Sequence, residues 1–244
     1  MTADRAAVET SAAELRRTVY RVLAGLFLFP DRERLATLAT AAPEVRRRTE
    51  PLRDLAFFPS WDALVGKLEE LSDGDVERLQ EEYTALFVSG AHGRSCPPYE
   101  SAYAGGPGLE SGLIGADIEA VYASVGMGVV ATGELPDHLA VELEFLSFLC
   151  GKEAGSADPV DADAWRAGQR VFLSEHLLRW LPTFVSGLRA VNPGGFYRGA
   201  AEAALEFAGH DKVLVEALAG THPEAVLHIN GFVVCVKSGV DLAE

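Results

Sequence analysis

The residues GELPDHLAVELEFLSFLC, Gly133 to Cys150, settle the character of the chain. Leu139, Leu143, Leu146 and Leu149 recur at steps of four and three, a spacing that lines side chains along one helix face. Pro136 suits the first turn, where its missing N–H costs nothing. The same period runs outward in both directions. Leu15, Val19, Val22, Leu23, Leu26 and Phe27 predict a helix over Ala12 to Phe29, ended by Pro30, and a second over Arg32 to Leu38. Pro43, Pro51 and Pro59 punctuate the region that follows. A helix after Trp61 buries Leu64, Val65, Leu68 and Leu71. SDGD, Ser72 to Asp75, breaks it and caps the next, whose stripe is Val76, Leu79, Tyr83, Leu86 and Phe87. Further helices are expected over Leu113 to Val125, Trp165 to Leu188 with a break or kink at Pro182, and Tyr197 to Ala219.

These patterns predict an all-α fold, a single helical bundle spanning residues 1–220, with a mobile connection near Gly155 to Asp163. The tail, residues 221–244, departs from them. In AVLHINGFVVCV, Asn230 and Gly231 sit between two β-branched runs and accept the positive φ of a tight turn, so a short β-hairpin is expected.

Composition narrows the function. With 244 residues, 48% of them hydrophobic, the chain buries a sizeable core. Its 36 acidic against 21 basic residues give a net charge of -15, which argues against nucleic acid and suits a cationic peptide. Three separated cysteines without a CxxC spacing predict reduced thiols and a cytoplasmic location. The charged N-terminus lacks the apolar run of an export signal, and no stretch is apolar for long enough to span a membrane.

Candidate chemistry concentrates in RSCPPYESAYAGG, Arg94 to Gly106. Pro97 and Pro98 stiffen the chain before any tertiary contact forms. Tyr99, Glu100, Ser101 and Tyr103 follow on a segment without helical period. Buried phenols need hydrogen-bond partners, and rigid aromatic walls beside a carboxylate suit a groove for an apolar peptide that carries positive charge. Competing chemistries are thinner. His138 and Glu142 share a helix face, but two ligands do not make a metal site, and Glu134 and Asp137 nearby are placed to compensate a helix terminus. Cys96 with His92 has the residue types of thiol catalysis without a specific spacing, and a free cysteine is more often apolar filler. GGPG, Gly105 to Gly108, lacks the lysine of a phosphate loop. Arg46 to Arg48 reads as a solvated helix surface, and Phe87 as core.

Three segments in order, YTALF (Tyr83 to Phe87), PPYESAY (Pro97 to Tyr103) and PDHLAVELEFLSFL (Pro136 to Leu149), resemble the TorD/DmsD/NarJ family of redox-enzyme maturation chaperones. The likeness is densest over Gln80 to Gly151. It implies a cytoplasmic, non-enzymatic, all-α chaperone that binds the twin-arginine signal peptide of a molybdopterin oxidoreductase catalytic subunit until its cofactor is inserted. It also implies that Pro98, Tyr99, Glu100, Ser101, Pro136, Asp137 and His138 belong to the peptide-binding set, and the residues themselves add Phe87, Pro97, Tyr103 and Glu142. Glu100 and Asp137 would face the arginines, with Phe87, Tyr99 and Tyr103 as apolar walls. Tyr99 stands where many relatives carry tryptophan. No cofactor, metal, nucleic acid or membrane insertion is expected, and either a monomer or a dimer is compatible with the sequence. On this reading Asp137→Ala weakens binding while leaving thermal stability nearly intact. The competing readings are a thiol- or metal-dependent enzyme built on Cys96 or His138 and Glu142, and a helical dimerisation scaffold using the tail.

Overall fold

The computed structural model describes residues 2–90, 95–104, 111–127, 133–192, 194–218, 226–229 and 232–235. Among these, nine α-helices form the body: α1 (Thr2–Leu26), α2 (Arg32–Thr49), α3 (Phe58–Glu69), α4 (Val76–Tyr83), α5 (Ser111–Ser124), α6 (Leu139–Gly155), α7 (Pro159–Phe172), α8 (Leu178–Val191) and α9 (Phe196–Leu218). Two strands, β1 (Val226–Ile229) and β2 (Phe232–Cys235), pair antiparallel with Ile229 opposite Phe232. That register leaves Asn230 and Gly231 between the strands, although the turn itself lies outside the described residues. β1 runs against α7 and α5, so this strand lies on the body of its own chain.

The fold is a helical bundle in which α6 lies along α1 and α7, α2 against α3, and α8 against α9. Leu139, Leu143, Leu146 and Leu149 are all buried, as their spacing requires. The interior is aromatic. Tyr20, Phe57 and Phe207 form one edge-to-face group, and Tyr122, Phe145 and Phe172 cluster with Phe145 edge-on to Phe172 and Tyr122 tilted against both. Each such side chain contributes about 1.5–3 kcal/mol by leaving water.

Several boundaries differ from expectation, for identifiable reasons. α2 does not stop at Leu38 but runs through Pro43 to Thr49. Pro43 is exposed, and the bond lost at the Ala39 carbonyl is offset where Ala42, Val45 and Thr49 bury their side chains. Trp61 Nε1 donates to Thr49 Oγ1 at 2.9 Å and fixes that end. Pro51 and Pro59 instead open helical turns, as their fixed φ favours. Pro136 precedes α6 rather than lying in its first turn, because His138 is the N-cap. Of the break or kink expected at Pro182, a break does not occur: α8 passes through it, and a wide π turn lies at residues 173–177. The proline ring crowds the Leu178 carbonyl, at the start of α8, so the adjustment falls in the turn just before it. The nine-residue connection read at Gly155 to Asp163 shrinks to Ser156–Asp158, because Asp158 caps α7 by accepting from the Val160 N–H at 2.9 Å and Pro159 takes the first turn.

Candidate functional site

The proline-stiffened segment is a strap laid on the turn that leads into α6. Tyr99 and His138 form an isolated antiparallel bridge, in which the Leu139 N–H donates to the Pro98 carbonyl at 2.8 Å and the Glu100 N–H to the Asp137 carbonyl at 2.9 Å. The Asp137 carboxylate also accepts from the Ser101 N–H at 3.0 Å. At its other end the Cys96 N–H donates to the Leu86 carbonyl at 2.9 Å, inside a second π turn at residues 84–88. A proline has no N–H to give, but Pro98 offers its carbonyl, so the Pro-Pro pair is compatible with pairing on one side only. Gly133, with φ 77°, supplies the left-handed residue that turns the chain into Glu134 and the bridge.

The side chains separate into an outer rim and a buried floor. On the rim the Tyr99 hydroxyl donates to Glu134 Oε2 at 2.7 Å, and its ring meets the His138 ring edge-on at 4.8 Å. Burial and the neighbouring Glu134 carboxylate push the Tyr99 phenol pKa up. Glu134 is 23% exposed in its side chain, and Leu135 beside it is 60% exposed. Burial, then the Glu134 charge, raises Tyr83 to about 12, and its hydroxyl donates to the Phe27 carbonyl at 3.2 Å. Tyr83 packs edge-on against exposed Phe29 at 5.5 Å.

The floor holds carboxyls that sequence reading aimed at solvent. Glu100 is 1% exposed and Asp137 2%, so neither forms an acidic lip. Glu100 Oε2 lies 3.1 Å from His176 Nδ1. Glu142 is wholly buried, and its Oε2 accepts from Trp180 Nε1 at 3.2 Å. Burial, with the Glu100 charge nearby, raises the Glu142 pKa well above the carboxylate range. His138 caps α6 by accepting from the Ala140 N–H at its Nδ1, 3.1 Å away. Its Nε2 therefore carries the hydrogen and faces Glu134 Oε2 at 3.9 Å, too far for a hydrogen bond. Burial lowers His138 to about 4 despite the opposing pull of Glu134 and Asp137. Among the described residues, Tyr103 Oη, His138 Nε2 and Glu142 Oε1 are buried here without a hydrogen-bond partner. Such atoms cost stability unless ordered water pairs with them.

The structure thus brings Pro97, Pro98, Tyr99, Glu100, Ser101, Tyr103, Pro136, Asp137, His138 and Glu142 into one region. Phe87 lies in the core, packed against Tyr83 at 4.8 Å and Tyr197 at 5.2 Å, and reaches Tyr103 through Phe184, whose ring is 6.0 Å from each. Sequence reasoning passed over Glu134, treating it as terminus charge, and missed His176 and Trp180, whose only signal is their four-residue spacing on an apolar stripe. Cys96 is buried, and burial raises its thiol pKa, opposite to the direction a thiolate nucleophile needs. His92 and the GGPG loop lie outside the described residues. Among the described residues no group of three or more His, Cys, Asp or Glu is placed to hold a metal ion, and no helix is long and apolar enough to cross a membrane.

An all-α bundle carrying a proline-braced strap on a PDH turn defines a class, and comparison with known proteins gives it a family. The family model described as nitrate reductase delta subunit matches residues 32–186, which include both strap and turn. Chaperone protein TorD of Vibrio cholerae is 32% identical over 164 residues, covering 65% of this chain and 71% of that protein. A perchlorate reductase assembly chaperone of Dechloromonas aromatica is 32% identical over 190 residues, 73% of this chain and 80% of the relative. A selenate reductase assembly chaperone of Thauera selenatis is 48% identical over a shorter 60 residues, 24% of this chain and 31% of the relative. The chain belongs to the TorD/DmsD/NarJ family of redox-enzyme maturation chaperones.

Proposed function

We propose that this protein is a cytoplasmic chaperone that binds the twin-arginine signal peptide of a molybdopterin oxidoreductase catalytic subunit and holds it back from export during cofactor insertion. The observation that carries the reading is the bridge between Tyr99 and His138. It joins two distant segments into one rim where a phenol, the Glu134 carboxylate and the exposed Leu135 side chain sit side by side. A twin-arginine leader presents two guanidinium groups followed by an apolar run, and it needs a carboxylate beside an apolar surface. Glu134 takes the role first given to Glu100 and Asp137, which hold the strap and the turn together from within. Stiffening by Pro97 and Pro98 limits the entropy lost on binding. The relatives named as assembly chaperones for perchlorate and selenate reductases support a client of the same broad kind.

Isothermal calorimetry with a twin-arginine leader and its lysine-lysine counterpart tests this. Saturable binding that weakens at least about tenfold on the lysine exchange is expected, since lysine loses the two-pronged guanidinium contact. Equal affinity for both peptides and for a scrambled control counts against it.

A further inference from the structure

Behind the strap runs one face of α8 and the π turn that precedes it. His176, Trp180, Phe184 and Gly187 follow at steps of four, four and three, a helical stripe, and each meets the strap or a residue that supports it. His176 Nδ1 lies 3.1 Å from Glu100 Oε2. Trp180 stacks on Tyr103 with ring centres 5.6 Å apart and planes inclined by 18°, while its Nε1 donates to Glu142 at the start of α6. Phe184 meets Tyr103 edge-on at 6.0 Å. At Gly187 a Cβ would come within 3.2 Å of Cys96 Sγ, so the thiol is seated against the bare helix backbone. The strap is thus held from two sides, by backbone bonds to the PDH turn in front and by side chains of α8 behind. The π turn at residues 173–177 changes the helical phase where His176 joins the stripe.

We propose that His176 and Trp180 are positioning residues: they hold the 95–104 strap on the PDH turn through Glu100 and Tyr103, and leader affinity depends on them although neither touches the peptide. The effect on affinity rests on the peptide-binding reading above, whereas the effect on the strap does not. A buried carboxylate whose partner is removed loses its compensation, and in a strap of ten residues the remaining backbone bonds do not replace it.

The test separates the two. Site-resolved amide hydrogen exchange on the full chain without peptide reads the strap directly. His176→Leu, which keeps bulk but offers no donor, is expected to speed exchange at Glu100, Ser101 and Tyr103 at least about tenfold and leave α9 core amides unchanged. His176→Asn, whose amide nitrogen falls near the Nδ1 position, is expected to restore protection. His176→Gln, whose amide reaches the other ring-nitrogen position, is expected to behave like the leucine variant and serves if that variant does not fold. Leader affinity should fall in step with strap exchange across the series. Unchanged strap exchange in both His176→Leu and His176→Gln, or failure of His176→Asn to restore it, overturns the positioning role. A folded wild type that binds no leader while the exchange pattern holds overturns the peptide reading alone.

Discussion

At the scale of single residues, the chemistry of the site is that of carboxyls and imidazoles kept out of water. His138 caps α6 only as a neutral ring, and burial holds its pKa near 4, below the ordinary 6.5. A histidine depressed in the folded state supports stability fully above its unfolded pKa, and that support is lost as pH falls from 6.5 toward 4. Between pH 7 and pH 5 this amounts to about 2 kcal/mol. Glu142 is shifted the other way: its raised pKa favours the fold at low pH and is a cost as pH rises. The two are separated by comparing wild type with His138→Asn in urea unfolding at both pH values. The variant should lose the His138 share of the acid sensitivity, and an unchanged pH dependence would remove His138 as its source. Asp137 accepts from the Ser101 N–H while buried. Asp137→Ala should therefore lower stability by about 1–3 kcal/mol as well as weaken leader binding, contrary to the sequence-based expectation of little thermal effect. Glu134→Gln, by contrast, should cost leader affinity by roughly tenfold, a charge-assisted contact, with a melting temperature close to wild type.

At the scale of elements, what was legible followed from periodicity. The leucine stripe of α6 and the cap offered by Ser72 to Asp75 are local signals, and the structure keeps them, whereas Pro51 and Pro59 read as interruptions and instead open helical turns. Illegible features were those where tertiary burial outweighs a local rule. α2 carries Pro43 through because Val45 and Thr49 have a core to reach, and two π turns appear where a uniform helix was read. The candidate site shows the same division. Two proline-marked segments were recognisable as special, but nothing local to either reveals that they pair backbone to backbone. The direction of Glu100 and Asp137 was misjudged for the same reason. A carboxylate in a polar-looking loop reads as solvent-facing until the His176 and Ser101 partners from elsewhere are known.

At the scale of the whole molecule, a second buried polar system ties the bundle together. Arg16 of α1 pairs with Glu153 of α6 at 3.0 Å and with Asp211 of α9 at 2.6 Å, and also contacts Gln169 of α7. Arg166 joins Glu153 to Asp163 at 2.7 and 2.5 Å, and Tyr20 donates to Asp211 at 2.6 Å. Arg16→Met would leave two buried carboxylates short of their partner, so urea unfolding should show a loss of about 3–5 kcal/mol. Loss of under 1 kcal/mol would mean the network is dispensable. The surface charge acts at longer range: a net -15 should speed encounter with a cationic leader at low salt. The chain's job, on this view, is a binding one performed at a braced rim. The most direct trial is a twin-arginine leader bearing a photo-crosslinking residue next to the arginine pair, irradiated with the full-length protein and mapped by mass spectrometry. Adducts at Tyr99, Glu134 or Leu135, lost when the arginines become lysines, are the expected outcome. Adducts confined to the faces of α3 and α9, or unaffected by the lysine exchange, would contradict it.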